Sequence, residues 1–215
     1  MAHAIEGLYA VTPDMADTDM LAHKVESAVR GGAAAVQYRN KSGTDAGRLE
    51  QLRRLAPVCR RHGAMLIVND SVALARDAAA DGVHLGREDG DVAAARRALG
   101  PAAVIGVSCY DELQRARDAR AAGADYVAFG SFFPSPTKPG AVRASLDLLR
   151  QARRELDLPI VAIGGIGVQN AAGLIDAGAD ALAVVSALFD AADVESQARR
   201  ISRLFPALRT LAAQR

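Results

Sequence analysis

The chain has 215 residues, half of them hydrophobic, so it is long enough to bury one substantial core and too apolar to be disordered. Only 4% of its residues are aromatic and none is Trp, which leaves mainly Ala, Val, Leu and Ile to fill that core. The 26 Lys and Arg against 25 Asp and Glu give a net charge of +1, which provides no general attraction for nucleic acid or an anionic membrane.

The amino terminus and the two cysteines indicate the compartment. The first residues lack the basic start and apolar run of a signal peptide, and no stretch of about 18 apolar residues offers a membrane span. Cys59 and Cys109 match no metal-ligand spacing, and a disulfide-stapled chain is normally shorter and richer in Cys. The sequence therefore predicts a cytoplasmic protein with two reduced thiols in or near its core.

Short apolar, β-branched runs alternate with longer stretches of helical spacing along the whole chain. Between the runs, segments such as Asp19 to Arg30, Ala46 to Arg61 and Asp111 to Ala121 place apolar residues three and four apart, as helices that cover a parallel sheet do. Eight runs are predicted as strands: Gly7 to Val11, Ala34 to Arg39, Met65 to Asn69, Gly82 to Leu85, Val104 to Ser108, Tyr126 to Gly130, Ile160 to Gly164 and Ala181 to Ser186. Eight such units predict an α/β fold, a (β/α)8 or TIM barrel, as a single domain over residues 1–215.

Small-residue turns precede several of these strands, and three of them contain an Asp, namely Asp81, Asp125 and Asp180. Glycine at a helix end accepts the left-handed conformation that ends the helix. The Asp side chain is predicted to bond backbone amides nearby. These turns are therefore interpreted as structural.

Two cations and an amide follow the second strand. Because side chains alternate along a strand, Gln37, Arg39 and Lys41 are predicted to lie on one side, with Val36 and Tyr38 on the other. In such a barrel the carboxyl ends of the strands build the site. Two cations there need acidic partners or a bound anion such as a diphosphate, and anion binding is the favoured interpretation over a structural ion-pair network.

Carboxylates follow the next two strands. Asn69 and Asp70 end the third strand, and the fourth leads to Asp89. Asp70 and Asp89 together could hold Mg²⁺ and leave coordination positions for phosphate oxygens, or each could cap the helix that follows it. Both alternatives stay open at this point. His84 lies inside an apolar run, which favours a satisfied core histidine, or one that supports a residue of the site, over a general base.

Hydroxyls and an ammonium follow the fifth and sixth strands. Ser108 ends the fifth, and the sixth leads into a loop from Ser131 to Val142 that carries Ser135, Thr137 and Lys138. The prolines of this loop stiffen it, and its polar groups suit a phosphate or a departing pyrophosphate. The loop is therefore a candidate functional segment.

A phosphate cradle is predicted from the last two strands. Gly164 and Gly165 follow the seventh, and the amides of Val185 and Ser186 lie at a helix start after the eighth. Many barrel enzymes bind phosphate with such elements. These two elements predict that the protein binds a phosphate group, but they do not indicate which reaction it catalyses.

With all strand ends in view, the chain resembles the thiamine-phosphate synthase family over nearly its full length. The Gln-x-Arg-x-Lys and Pro-x-Pro-Thr-Lys blocks are the most specific. The family usually has Thr where this chain has Ser135, which keeps the hydroxyl and loses a methyl group. Five blocks match in order: Gln37 to Lys41, Asn69-Asp70, Ala80 to Gly86 leading to Asp89, Gly130 to Lys138, and Ala162 to Ile166 with Val185-Ser186.

The resemblance implies a transferase that condenses 4-amino-2-methyl-5-hydroxymethylpyrimidine diphosphate with 4-methyl-5-(2-phosphoethyl)thiazole, carboxylated or not, and releases pyrophosphate with Mg²⁺ as cofactor. It implies that Asp70 and Asp89 ligate the metal. It also implies that Gln37, Arg39, Lys41 and Asn69 hold the pyrimidine diphosphate, that Ser108 meets the pyrimidine, that Arg39, Lys41 and Lys138 act catalytically on the diphosphate, and that Ser135, Thr137, Gly164, Gly165, Val185 and Ser186 hold the thiazole phosphate.

Three other functions are compatible with a phosphate-binding barrel. They are a thiazole tautomerase, a sugar-phosphate isomerase or epimerase, and a non-catalytic phosphate-binding protein. The intact charged set argues against the tautomerase, which needs no diphosphate-metal site. The partners expected are the two small-molecule substrates, with no nucleic acid and no membrane, and homo-oligomerisation is left open.

Overall fold

The computed structural model describes residues 5–134 and 142–205. Eight parallel strands close into a barrel in sequence order, and β8 pairs with β1. The predicted (β/α)8 barrel is confirmed, and each predicted strand end lies within two residues of the observed one. The strands are β1 Gly7–Val11, β2 Ala33–Tyr38, β3 Met65–Asn69, β4 Gly82–Leu85, β5 Val104–Tyr110, β6 Tyr126–Phe129, β7 Ile160–Ile163 and β8 Ala181–Val184.

Helices surround the barrel, and six of the nine helices in the described residues begin with a side chain that caps them. Asp17, for example, accepts from the amide of Met20 at the start of the first helix, and Asp19 and Arg30 lie at the ends favoured by the helix dipole. The helices are α1 Thr18–Arg30, α2 Asp45–Arg61, α3 Val72–Asp77, α4 Val92–Leu99, α5 Leu113–Ala121, α6 Leu146–Glu155, α7 Ala172–Asp176, α8 Ser186–Phe189 and α9 Val194–Ser202.

Alternating side chains of the strands form two separate buried layers. Val36 and Tyr38 belong to the layer between strands and helices. Tyr9 and Tyr126 belong to the barrel interior, where the Gln37 amide bonds to the Tyr9 hydroxyl. The predicted alternation along β2 is therefore confirmed, and the barrel interior contains polar side chains as well as aliphatic ones.

The amino-terminal face of the barrel is held by a repeated contact. Asp81, Asp125 and Asp180 each precede an even-numbered strand and accept a hydrogen bond of 2.7 Å from a backbone amide of the preceding strand. Arg153 adds an ion pair of 2.8 Å to Asp180. The Asp side chains were expected to bond amides of their own turns, whereas these bonds are to amides of the neighbouring strand. They serve the stability of the face opposite the site.

Both cysteines are free and buried, as predicted. Burial raises the pKa of the Cys59 and Cys109 thiols to about 12, so neither is a reactive thiolate at neutral pH. Among the described residues, no helix is both long enough and apolar enough to cross a bilayer.

Candidate active site

Arg39 and Lys41 lie at the carboxyl end of β2, and each has an acidic partner. Arg39 Nη1 lies 3.2 Å from Asp14 Oδ1, and Lys41 Nζ lies 3.5 Å from Asp70 Oδ2. The exposed fractions of the two cationic side chains are 20% and 57%. Both cations are thus held in place at the rim and remain accessible to an anion.

The segment after β1 positions the end of β2. Thr12 is fully buried, and its hydroxyl accepts from the Arg39 amide at 2.9 Å and donates to the Arg39 carbonyl at 3.1 Å. Asp14 also accepts from the Lys41 amide at 3.1 Å. The sequence analysis named neither Thr12 nor Asp14, although both follow a strand at the same end of the barrel.

Asp70 and Asp89 face each other across the ends of β3 and β4. Burial raises the pKa of Asp70, and the hydrogen bond and negative charge of Asp89 raise it further, against the opposite effect of Lys41. Asp89 Oδ2 accepts from the Gly86 amide at 2.8 Å. Asp70 has φ 66°, in the left-handed region that residues other than Gly rarely adopt. The backbone thus holds the two carboxylates close together despite their mutual repulsion.

The alternative interpretation of these carboxylates as helix caps is wrong. Ser71 caps α3 through the amide of Leu74, and Asp91 caps α4 through the amide of Ala94. Asp70 and Asp89 are therefore available for another role. Over residues 5–134 and 142–205 no cluster of three His, Cys, Asp or Glu side chains is placed to hold a metal, so this pair would leave several coordination positions to water or substrate.

A cavity of about 200 Å³ lies between the ends of β2 and β3. Lys41, Asn69 and Asp70 are among its lining residues. The structure thus brings the predicted amide, cation and carboxylate to one depression on the rim.

Five polar side chains form a continuous series of hydrogen bonds through the barrel interior. Gln37 Nε2 donates to the Tyr9 hydroxyl at 3.0 Å, and that hydroxyl lies 2.8 Å from the Tyr126 hydroxyl. His84 Nδ1 lies 2.9 Å from the Tyr126 hydroxyl, and His84 Nε2 lies 2.8 Å from Ser108 Oγ. We call this series the interior chain. It joins two predicted ligand-binding residues, Gln37 and Ser108, through groups that sequence reasoning did not assign to the site.

Arg115 supports the ends of β4 and β5. Its guanidinium donates to the Ser108 carbonyl at 2.6 Å and to the Gly86 carbonyl at 3.0 Å. The Arg115 guanidinium also lies 5.9 Å from the centre of the Tyr110 ring. Arg115 therefore fixes the backbone beside Ser108 and beside the Gly86 amide that holds Asp89, a role that its helical position did not reveal.

The ends of β7 and β8 provide the predicted glycine and amide elements. Gly164 and Gly165 have φ of 106° and 64°, and a Cβ on Gly164 would lie 2.7 Å from the Cα of Ser131. Only glycine therefore permits this close approach between β7 and the segment after β6. Val185 directly precedes α8, whose first residue is Ser186.

The predictions for Ser135, Thr137 and Lys138 lie outside the described residues. The flanks of their segment are described. The Ser131 amide donates to the Val142 carbonyl at 3.0 Å, and the Ala144 amide donates to the Ser131 carbonyl at 3.0 Å. The segment therefore leaves and returns at the same place on the rim, next to the Gly164 turn.

Comparison with known proteins decides the family. The family model described as thiamine monophosphate synthase matches residues 8–188. The chain belongs to the thiamine monophosphate synthase family. Within this family it is 59% identical over 201 residues to the thiamine-phosphate synthase of Thiobacillus denitrificans, covering 94% of this chain and 95% of that one. It is 58% identical over 205 residues to that of Azoarcus sp. strain BH72, covering 95% and 100%.

A solved structure from the thiamine monophosphate synthase family has the same fold. Thiamine phosphate pyrophosphorylase from Pyrococcus furiosus superposes with a TM-score of 0.85 at 33% identity, covering 94% of this chain and 96% of that one. The resemblance stated from the sequence is thereby confirmed. The segment matched by the family model runs from β1 to α8 and contains every predicted site residue.

Proposed function

We propose that this chain is a thiamine-phosphate synthase, which condenses the aminopyrimidine diphosphate and the thiazole phosphate named above into thiamine phosphate and pyrophosphate, with loss of CO2 where the thiazole is carboxylated. The observation that carries the proposal is the likeness to the Thiobacillus denitrificans synthase, 59% identical across 94% of this chain. The geometry of the rim supports it, because cations from β2 and carboxylates from β3 and β4 meet at one end of the barrel. No observation favours the tautomerase, the isomerase or the non-catalytic alternative.

Arg39 and Lys41 are proposed to hold the diphosphate. Fixed cations bind phosphate oxygens well when their geometry is preset, and here Asp14 orients Arg39 while Asp70 orients Lys41. The same carboxylates repel an anion. Tight binding of a diphosphate at this rim therefore needs an additional positive charge between the carboxylates and the substrate.

Asp70 and Asp89 are proposed to hold Mg²⁺ at that point. The pair fits a hard divalent cation, because burial and the negative charge of Asp89 raise the pKa of Asp70, and a positive charge between the two carboxylates would relieve their repulsion. When bound, Mg²⁺ supplies charge neutralisation on the phosphate oxygens. Asn69 lies beside Asp70 in the same cavity and is proposed to bind the diphosphate.

The reaction is proposed to be a dissociative displacement. The bond between the pyrimidine methylene carbon and the diphosphate oxygen breaks, and its electron pair leaves with pyrophosphate. The aminopyrimidine stabilises the resulting carbocation, and the lone pair of the thiazole nitrogen forms the new carbon–nitrogen bond. These reaction steps require no strong base. This agrees with the position of His84, whose two ring nitrogens are both hydrogen-bonded inside the barrel.

The remaining roles follow the family resemblance. Lys138 is proposed to contact the departing diphosphate, and Ser108 to meet the pyrimidine. The thiazole phosphate is proposed to bind the side chains and backbone amides of six residues: Ser135, Thr137, Gly164, Gly165, Val185 and Ser186. The cytoplasmic location stays a prediction from the sequence.

A pyrophosphate-release assay with the purified chain tests the proposed function. We expect release only when both substrates and Mg²⁺ are present, and thiamine phosphate in equal amount. Lys138→Ala is expected to lower turnover by about 10² to 10³ without changing the melting temperature. Conversion of a thiazole substrate without any pyrimidine diphosphate, or the absence of pyrophosphate with both substrates present, would overturn the proposal.

A further inference from the structure

The interior chain has two ends at the barrel mouth. Gln37 is 5% exposed, and its Oε1 has no hydrogen-bond partner within the described part of the chain. Ser108 Oγ makes one hydrogen bond there, to His84 Nε2. Gln37 therefore keeps its Oε1 and its second amide hydrogen for a ligand, and Ser108 keeps one further hydrogen bond of its hydroxyl. The two strands that carry them, β2 and β5, lie three strands apart around the barrel.

With the Gln37 amide oriented as in the structure, Nε2 toward Tyr9, the hydrogen bonds of the interior chain all run in one direction. Because Gln37 Nε2 donates to the Tyr9 oxygen, the Tyr9 hydrogen is left to donate to the Tyr126 oxygen. The Tyr126 hydrogen then goes to His84 Nδ1, which must be unprotonated to accept it. Neutral imidazole carries its one hydrogen on the other nitrogen, so Nε2 donates to Ser108 Oγ.

This direction determines what each end offers. With Nε2 bonded to Tyr9, the Gln37 amide has its oxygen, which is an acceptor, left for a ligand. Ser108 already accepts from His84, so its hydroxyl hydrogen is left as a donor. An aminopyrimidine has the matching functions, an amino group that donates and a ring nitrogen that accepts.

The barrel is built around the middle of the interior chain. Tyr9 and Tyr126 are 1% and 0% exposed, and burial raises the pKa of both phenols. Both phenols therefore keep the hydrogen that they donate within the interior chain. His84 stacks on Tyr126 with ring centres 5.5 Å apart. A Cβ at Gly106 of β5 would overlap the Tyr126 ring, so this glycine makes room for it. Barrel interiors are usually filled with branched aliphatic residues, so a hydrogen-bonded polar series at the centre of this barrel is unusual.

We propose that Tyr9, Tyr126 and His84 are positioning residues that make Gln37 an acceptor and Ser108 a donor, and so select an aminopyrimidine over its 4-oxo counterpart. The proposal rests on the proposed function for the identity of the substrate. A 4-oxo group is an acceptor and would face the Gln37 oxygen, which leaves two acceptors opposed. Such a mismatch in a buried site lowers affinity by about ten- to a hundredfold.

Removal of the Tyr126 hydroxyl is expected to release this selection. In Tyr126→Phe the Tyr9 hydrogen loses its acceptor and can instead donate to Gln37 Oε1, which turns the amide round. The amide nitrogen then faces the mouth and accepts the 4-oxo ligand. The affinity for the amino ligand is therefore expected to fall while the affinity for the 4-oxo ligand rises. A general loss of packing would lower both affinities.

The test compares dissociation constants of the amino and 4-oxo pyrimidine diphosphates, measured with Mg²⁺ by calorimetry. We expect the wild type to prefer the amino ligand by at least ~10-fold and Tyr126→Phe to lose about ten- to a hundredfold of that ratio. Tyr9→Phe is the second variant, in case Tyr126→Phe does not fold. Tyr38→Phe is the matched control, because it removes a buried hydroxyl that bonds Gln51 outside the interior chain. Tyr38 lines the cavity proposed for the diphosphate, which both ligands share, so the ratio is expected to stay at the wild-type value.

A measurement on the wild type needs no folded variant. Long-range proton–nitrogen NMR correlations report the tautomer of each histidine, and we expect His84 to be protonated at Nε2. Protonation at Nδ1 alone, or a ligand ratio unchanged in a folded Tyr126→Phe or Tyr9→Phe, would overturn the proposal. Failure of the proposed function would be seen in a different measurement, the pyrophosphate-release assay, in which the wild type would release no pyrophosphate.

Discussion

The Lys41 ammonium lies 3.5 Å from the Asp70 carboxylate and so joins the end of β2 to the end of β3 by an ion pair at the barrel mouth. The two charges have different duties in the proposed function, because the ammonium binds the diphosphate and the carboxylate binds the metal. In the protein without ligands they partly satisfy each other. When substrate and metal bind, Lys41 would pair with the diphosphate and Asp70 with the metal, so that each charge exchanges one opposite charge for another.

Asp70→Asn tests the metal site. The amide keeps the size of the side chain and tolerates the left-handed backbone at this position, φ 66°, but it does not carry the charge that Mg²⁺ needs. We expect turnover to fall by about 10² to 10³ and the half-saturating Mg²⁺ concentration to rise. Asp91→Asn is the control, because Asn caps α4 as well as Asp does and the same charge is lost outside the site. Wild-type magnesium dependence in Asp70→Asn would exclude Asp70 as a ligand.

The same substitution makes a prediction about stability and pH. The folded pKa of Asp70 lies above its ordinary value of 3.8, so the folded protein binds this proton more tightly than the unfolded chain does. The contribution of Asp70 to the free energy of unfolding therefore decreases as the pH rises from about 3.8 through the raised pKa, and it stays unfavourable at neutral pH. We expect metal-free Asp70→Asn to melt above the wild type at pH 7, with the difference disappearing near pH 3.8. A lower melting temperature at pH 7 would show that the contact with Lys41 outweighs burial.

Thr12→Val tests the support of Arg39. Valine keeps the shape of Thr12 but leaves the amide and carbonyl of Arg39 without their partner at the end of β2. We expect the free energy of unfolding in urea to fall by about 2 kcal/mol and the KM for the pyrimidine diphosphate to rise about tenfold. Thr18→Val, at the start of α1, is the control and should change stability by less than about 0.5 kcal/mol. An unchanged KM in a destabilised Thr12→Val would confine Thr12 to a structural role.

Gly164→Ala tests the close approach between β7 and the segment after β6. The added Cβ meets the Cα of Ser131 at 2.7 Å, so one of the two backbones must move. We expect a higher KM for the thiazole phosphate and a loss of about 2 to 4 kcal/mol in stability. Gly123→Ala is the matched control, because Gly123 has a φ of 89°, nearer to the 106° of Gly164, with no atom within 4 Å of its Cβ position. It should lose only about 1 kcal/mol, the strain of the backbone itself. Equal losses of stability in the two variants would show that the close approach at Gly164 does not contribute to the cost of the substitution.

Local patterns were sufficient to predict the strands. β1, β3 and β4 have the predicted bounds, because buried β-branched runs between turn residues are defined by neighbours in the sequence. The side-chain alternation along β2 was predictable for the same reason. The rim positions of Arg39, Lys41, Asp70 and Asp89 followed from the general rule that parallel strands meet at one edge of the barrel.

Contacts that depend on barrel closure were not predictable. Tyr9 and Tyr126 are 117 residues apart in the sequence, and their hydroxyls lie 2.8 Å apart only because the barrel closes. The helix cap at the start of α3 was not predictable for a local reason. Asp70 and the adjacent Ser71 are equally good capping residues, and their position in the sequence does not choose between them. Arg115 looked like an ordinary charged residue of a surface helix, and only the position of α5 shows that it reaches the ends of β4 and β5.

Calorimetric titration of the wild type with the pyrimidine diphosphate, with and without Mg²⁺, is the most direct test of the central claim that this rim gathers a diphosphate with a divalent ion and fixed cations. We predict tight binding with Mg²⁺, weaker by at least ~10-fold without it, and a further loss in Arg39→Ala. Equal affinity with and without the metal, or full affinity in Arg39→Ala, would contradict the account.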